Sequence, residues 1–311
     1  MLLPLRRLPF LAIREMIQSM NTREIFYLSL LSKNSQNLVM LSIPKDSLLA
    51  KFTFKNNYFQ FELMPPGYIK NAFDYYFEER GLLELMPAGL FNHQRDMFPD
   101  VPYKDEFLLT RVSTDSLYVQ CDFRSYSDNS EVEESIRKLF DYFSNTFKKS
   151  EISIEFGDGT REEFAIEILR FAWENDFKLD RIYLFLHNAS SQSFQELLNW
   201  CNEQHTFLHI RTKAPMGFKC TPPPGGYKFK SLLVHDAHWV NLDDFMQCRE
   251  FRSSLLTDFP DLTVEYLNDL LKKIVNMECK FENFLFKLDL IETSDFPEIV
   301  RGLSERILQF C

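Results

Sequence analysis

The sequence is poor in the features that mark several protein classes. Glycine and proline number 9 and 14 among 311 residues, too few for collagenous or low-complexity chains. Six cysteines (Cys121, Cys201, Cys220, Cys248, Cys279 and Cys311) lie far apart with no CxxC pair. A chain of this length does not need disulfide staples, so reduced thiols and an intracellular setting, cytoplasmic or nuclear, are expected. No uncharged apolar run reaches the roughly 18 residues that would suggest a membrane span. Arg6, Arg7 and Arg14 interrupt the leader-like start, which reads instead as the first element of a fold. Clusters of Lys and Arg interleaved with aromatics are missing too, and the net charge of −10 disfavours nucleic acid as a partner.

Catalytic signatures are equally scarce. Gly157-Asp158-Gly159-Thr160 follows a strand and opens a helix, but it lacks the third glycine of a dinucleotide fingerprint and the Gly-Lys of a P-loop. It reads as a tight turn. Cys201, His205 and His209 stand four apart, yet His209 falls on the following strand, which spoils the helix-face geometry for zinc. His235 and His238 read as surface histidines at a strand end, and no nucleophile elbow occurs. The expectation is a chain that is not an enzyme and uses no cofactor or metal.

What is abundant is core material: 45% apolar residues, including 32 Phe, enough for a large interior. Charge is uneven. Residues 1–50 hold Arg6, Arg7, Arg14, Arg23, Lys33 and Lys45 against Glu15, Glu24 and Asp46, a net +3 that leaves −13 for the rest.

Apolar spacing predicts short, closely spaced helices over residues 8–40, the third begun by Asn21 or Thr22, with Glu24 three residues after Asn21 as an acidic first turn. Strands are expected at 38–43, 51–54 and 58–63, with Lys55, Asn56 and Asn57 as a hairpin loop, and again at 106–112 and 117–123. Residues 65–105 read as an irregular connection. From residue 130 strands and helices alternate: capping-box spacings at Ser130/Glu133, Thr160/Glu163 and Ser193/Glu196 open helices, and strands start near 151, 181, 206, 231, 253 and 283. Strands covered on both faces would read as continuous apolar runs. These alternate: Ile182, Leu184, Leu186, Leu208, Ile210, Phe284 and Phe286 lie on one side, and Tyr183, Phe185, His187, His209, Arg211, His235, Lys287 and Asp289 on the other. One face is expected to stay open, as in a solenoid, and the second group is the candidate target-binding surface.

Leu8-Pro9-Phe10-Leu11-Ala12-Ile13 through Met20, followed by Thr22 through Leu31-Ser32-Lys33, resembles the F-box: Leu-Pro, an aliphatic helix, a polar break, then an apolar helix ending in Ser-Lys. Residues 230–236, 239–248, 252–257, 262–274 and 284–290 resemble the later part of a type-two F-box-associated domain, so the chain resembles the nematode-expanded F-box family that carries it. The resemblance implies an α/β fold: an F-box over 1–45, a connecting β-rich segment over 46–128, and an irregular leucine-rich-repeat-like α/β solenoid over 129–311. It also implies a substrate-recognition subunit that docks on a Skp-type adaptor, and through it a cullin-RING ubiquitin ligase, while holding an unknown protein substrate. Leu8, Pro9, Ile13, Ile17, Met20, Ile25, Leu28, Ser32 and Lys33 would carry the adaptor contact. The alternative is a repeat-based interaction module outside ubiquitination.

Overall fold

Side-chain caps set the starts of the second and third helices of the N-terminal segment. In the computed structural model, Asn21 Oδ1 accepts from the Glu24 amide and Glu24 Oε2 accepts from the Asn21 amide, both at 2.9 Å, a complete capping box. It opens α2 (Thr22–Leu30), which follows α1 (Phe10–Gln18). Ser32 Oγ then accepts from the Ser35 amide and opens α3 (Lys33–Ser42). The strand expected at 38–43 is therefore helical. Its apolar run looked extended, but Gln36, Val39 and Ile43 are buried at helical spacing once Ser32 has capped the turn.

The structure describes residues 9–55, 58–64, 83–85, 108–112, 117–122, 129–202, 207–253, 263–276, 278, 280, 283–285 and 295–302. They fall into an α/β chain of two compact units. The first comprises residues 1–155 and 174–179. It adds β1 (Leu49–Lys55), β2 (Tyr58–Met64), β3 (Leu83–Leu85), β4 (Leu108–Val112), β5 (Leu117–Asp122), α4 (Asn129–Thr146) and β6 (Glu151–Phe156). Its strands lie in the order β6-β1-β2-β5-β4-β3. β1 and β2 pair antiparallel with Lys55 opposite Tyr58, the hairpin the sequence suggested. α4 and β6 thus belong with the N-terminal helices in this division of the chain, which falls later than residue 128.

Phenylalanine fills the first unit. Phe61 stacks on Phe143 at 4.6 Å with an interplanar angle of 4°, and Phe26 of α2 lies 6.2 Å from Phe61 and 5.7 Å from Phe143. Phe52 meets Phe140 edge-on at 4.9 Å. Offset and edge-to-face rings of this kind add to the gain from burial. Polar contacts fix the helices on this core: Tyr142 Oη donates to the Ser29 carbonyl at 2.8 Å, and Gln36 Nε2 donates to Thr146 Oγ1 at 2.7 Å.

The second unit, residues 156–173 and 180–311, contains α5 (Glu162–Glu174), β7 (Leu179–Leu184), α6 (Ser191–Asn202), β8 (Phe207–Ile210), β9 (Ser231–Val234), a 3-10 helix (Leu242–Phe245), β10 (Glu250–Ser253), α7 (Val264–Val275), β11 (Asn283–Leu285) and α8 (Phe296–Ile299). Strands β7 to β11 are parallel neighbours in chain order. Ile182, Leu208, Leu232 and Phe251 share one register row and are all buried. Behind them, Phe194 meets Phe218 and Trp239 at 5.1 Å each, and Phe245 stacks on Tyr227 at 5.0 Å.

Two local expectations are corrected here. Ser190, not Ser193, caps α6: its Oγ accepts from the Ser193 amide at 3.2 Å. β10 begins at Glu250, ahead of the strand expected from residue 253, because Glu250 pairs in register with Ser231. Gly159, at φ 83°, makes the tight turn expected after β6, and Thr160 N donates to the Gly157 carbonyl there.

Candidate functional site

Successive strands of the second unit bring the odd-numbered residues of β7 and their partners into rows. Arg181 is opposite Phe207 and then Ser231, and Tyr183 is opposite His209 and then Leu233. Phe185, Arg211 and His235 follow the strand ends, the last two tied by Arg211 N to the Leu184 carbonyl at 2.8 Å and His235 N to the Ile210 carbonyl at 2.9 Å. The side chains knit across the strands. Tyr183 lies 5.8 Å from His209, Phe185 meets His209 edge-on at 5.0 Å, and His209 stacks on His235 at 5.0 Å. Two guanidinium groups cover rings: Arg181 over Phe207 at 5.7 Å and Arg211 over Phe185 at 5.2 Å.

Of the residues expected to form an open target surface, His187 and Arg211 are exposed, while Tyr183, Phe185 and His235 are half-buried. His209 departs from the expectation: at 3% exposure it is enclosed by Tyr183, Phe185, Phe207 and His235. Strand alternation places it on the right face, but the bulk of residues from neighbouring strands decides its exposure. Burial, with His235 and Arg211 nearby, pushes its pKa down to about 3; burial and Arg211 also lower that of His235. Both imidazoles are neutral at neutral pH, and their Nε2 atoms stand 2.9 Å apart, one donating to the other. Lys287 and Asp289 lie outside the described residues.

The proposed adaptor-binding residues meet a sharper correction. Ile13, Ile17, Ile25 and Leu28 are only 6%, 0%, 7% and 8% exposed. The apolar surplus of the helical trio is used inside the first unit, where Phe26 joins the Phe61 and Phe143 stack. Ser32 caps α3, Lys33 and Pro9 are exposed, and Met20 is half-buried. Leu8 lies outside the described residues. The large apolar residues these helices leave open are Phe10 (46%), Leu11 (68%), Leu31 (70%) and Leu41 (51%). The sequence reading missed them as surface groups, although Leu11 falls out of phase with the Ile13/Ile17 stripe and Leu31 sits at the C-cap of α2.

Cys201 is buried, with its thiol pKa raised by desolvation, and His205 lies outside the described residues. His238 Nδ1 bonds Asp236 Oδ1 at 2.7 Å. Among the described residues no group of three or more His, Cys, Asp or Glu side chains is placed to hold a metal, and no helix is long and apolar enough to cross a membrane.

A Caenorhabditis elegans protein described as Skn-1 dependent zygotic transcript 15 protein is 24% identical to this chain over 304 residues, covering 96% of this chain and 82% of that protein. The similarity therefore takes in both compact units. No family model matches the chain. No solved structure matches it either.

Proposed function

We propose that this chain is a substrate-recognition subunit of a Skp/cullin/F-box ubiquitin ligase, a non-catalytic receptor whose N-terminal helices dock on a Skp-type adaptor while the second unit holds the target protein. The observation that carries the reading is the helical trio α1–α3, which follows the Leu-Pro pair and leaves Phe10, Leu11, Leu31 and Leu41 exposed while Ile13, Ile17, Ile25 and Leu28 are packed. Exposed aliphatic and aromatic anchors are what a helix-docking interface requires. The adaptor contact thus falls to Pro9 and these exposed residues, with Ile13, Ile17, Ile25 and Leu28 holding the helices in place.

The parallel order of β7 to β11 in chain sequence, with one face buried over β7 to β10, supports an irregular leucine-rich-repeat-like solenoid as the target-holding part. The same feature supports the second reading, a repeat-type interaction module outside ubiquitination. Purification of the tagged full chain from cells, with mass spectrometry of its partners, separates the two. An adaptor and a cullin among the partners support the ligase subunit; their absence, with other partners retained, favours the module.

A further inference from the structure

We propose that the open face of β7 to β9 binds an extended acidic polypeptide, Arg211 and Lys213 meeting its carboxylates and the rings of Tyr183 and Phe185 carrying its apolar side chains. The inference deepens the receptor reading and rests on it for calling that polypeptide the target.

The charges on this face are unevenly matched. Where β7 begins, Arg181 Nε is paired with Asp180 Oδ2 at 3.2 Å, and where β10 begins, Glu250 Oε2 accepts from Ser231 Oγ at 3.1 Å. At the C-terminal strand ends the cations are unmatched: among the described residues neither Arg211 nor Lys213 has a carboxylate partner. Asp236, which follows His235, is engaged by His238. The two exposed cations stand in a chain of net charge −10. Arg211 Cζ stands 5.2 Å over the Phe185 ring, and the planar guanidinium is exposed, so its N–H groups can meet a carboxylate.

The backbone that carries the cations is fixed. Arg211 N and Thr212 N both donate to the Leu184 carbonyl, at 2.8 and 3.1 Å. Thr212 Oγ1 donates to the same carbonyl at 3.0 Å and accepts from Leu186 N at 3.0 Å. Four hydrogen bonds thus clamp the segment bearing Arg211 and Lys213 to the end of β7, and a pre-ordered site loses less entropy on binding. Rings and cations on a sheet would also suit a single-stranded nucleic acid. A peptide is favoured because an extended strand alternates its side chains, so a few carboxylates can meet the two cations while apolar groups meet the rings, whereas a nucleic acid carries a phosphate at every nucleotide and needs a longer basic track.

The test is fluorescence anisotropy of the full chain with a labelled peptide of alternating Glu and Tyr, about ten residues long, beside its Gln-Tyr analogue and an oligo-dT of equal length. The expected result is binding of the Glu-Tyr peptide, at least about tenfold weaker binding of the other two, and at least about tenfold loss for Arg211→Gln with Lys213→Gln at an unchanged melting temperature. Lys213→Glu alone reads the same charge dependence should the double variant lose stability. Equal binding of the Glu and Gln peptides, tighter binding of oligo-dT, no binding of the Glu-Tyr peptide, or wild-type affinity in the charge variants would overturn the inference. Adaptor binding measured on the same preparation keeps the two readings apart. Peptide capture without adaptor binding sinks the ligase reading alone, and the converse sinks this inference alone.

Discussion

His209 and His235, one on β8 and one just past β9, stack at an interplanar angle of 17° with their Nε2 atoms 2.9 Å apart. The bond needs one neutral ring as acceptor, and protonating both rings would leave no acceptor and set two cations against each other beside Arg211. Both folded-state pKa values are lowered, so the unfolded chain binds more protons than the folded one below the ordinary histidine pKa of about 6.5. The stabilisation is therefore complete above about pH 6.5 and is lost as pH falls toward the lowered values, by at most about 1.4 kcal/mol per pH unit for the buried His209 and by less for the more exposed His235. Urea denaturation between about pH 7.5 and 5 should show this slope. His209→Phe should flatten it, and an unchanged slope in the variant would show that the pair does not titrate as described.

Phe61 is the centre of the first unit's core, with zero exposure and ring neighbours at 4.6 Å (Phe143), 5.2 Å (Phe52) and 5.5 Å (Phe147). Phe61→Ala should cost about 3–5 kcal/mol, from lost burial and the cavity left behind. Phe10→Ala, at a half-open position of α1, should stay within about 0.5 kcal/mol. Chemical denaturation of the two variants checks the ranking.

Gly225 and Gly226 both have positive φ, 86° and 77°, but a Cβ would meet nothing at the first and the Asp244 carbonyl oxygen at 2.9 Å at the second. The Tyr227 amide donates to that same oxygen at 2.9 Å, so it cannot move away without losing a hydrogen bond. Gly225→Ala should cost about 1–2 kcal/mol from backbone strain alone, and Gly226→Ala distinctly more. Equal melting temperatures for the two variants would contradict this.

How much of this was legible beforehand depended on how local the deciding physics was. The cap of Asn21 and Glu24 and the alternating burial of β7 were readable because neighbours in sequence decide them. Residues 38–43 misled because an apolar run fits strand and helix alike, and only the Ser32 cap separates the two. Apolar phase showed that Ile13, Ile17, Ile25 and Leu28 share an inward preference, but not whether a partner or the chain itself would cover them. Phe26 reaching Phe61 and Phe143 answers that, through contacts distant in sequence. The enclosure of His209 is of the same kind, since residues of three strands build it.

The receptor reading stands or falls on adaptor binding. Isothermal titration of the full chain with a purified Skp-type adaptor should show a one-to-one complex. Pro9→Ala with Leu31→Asp, changes at exposed positions, should abolish it without lowering the melting temperature. A wild-type chain that gives no complex, or a variant that binds as tightly as wild type, would contradict the account.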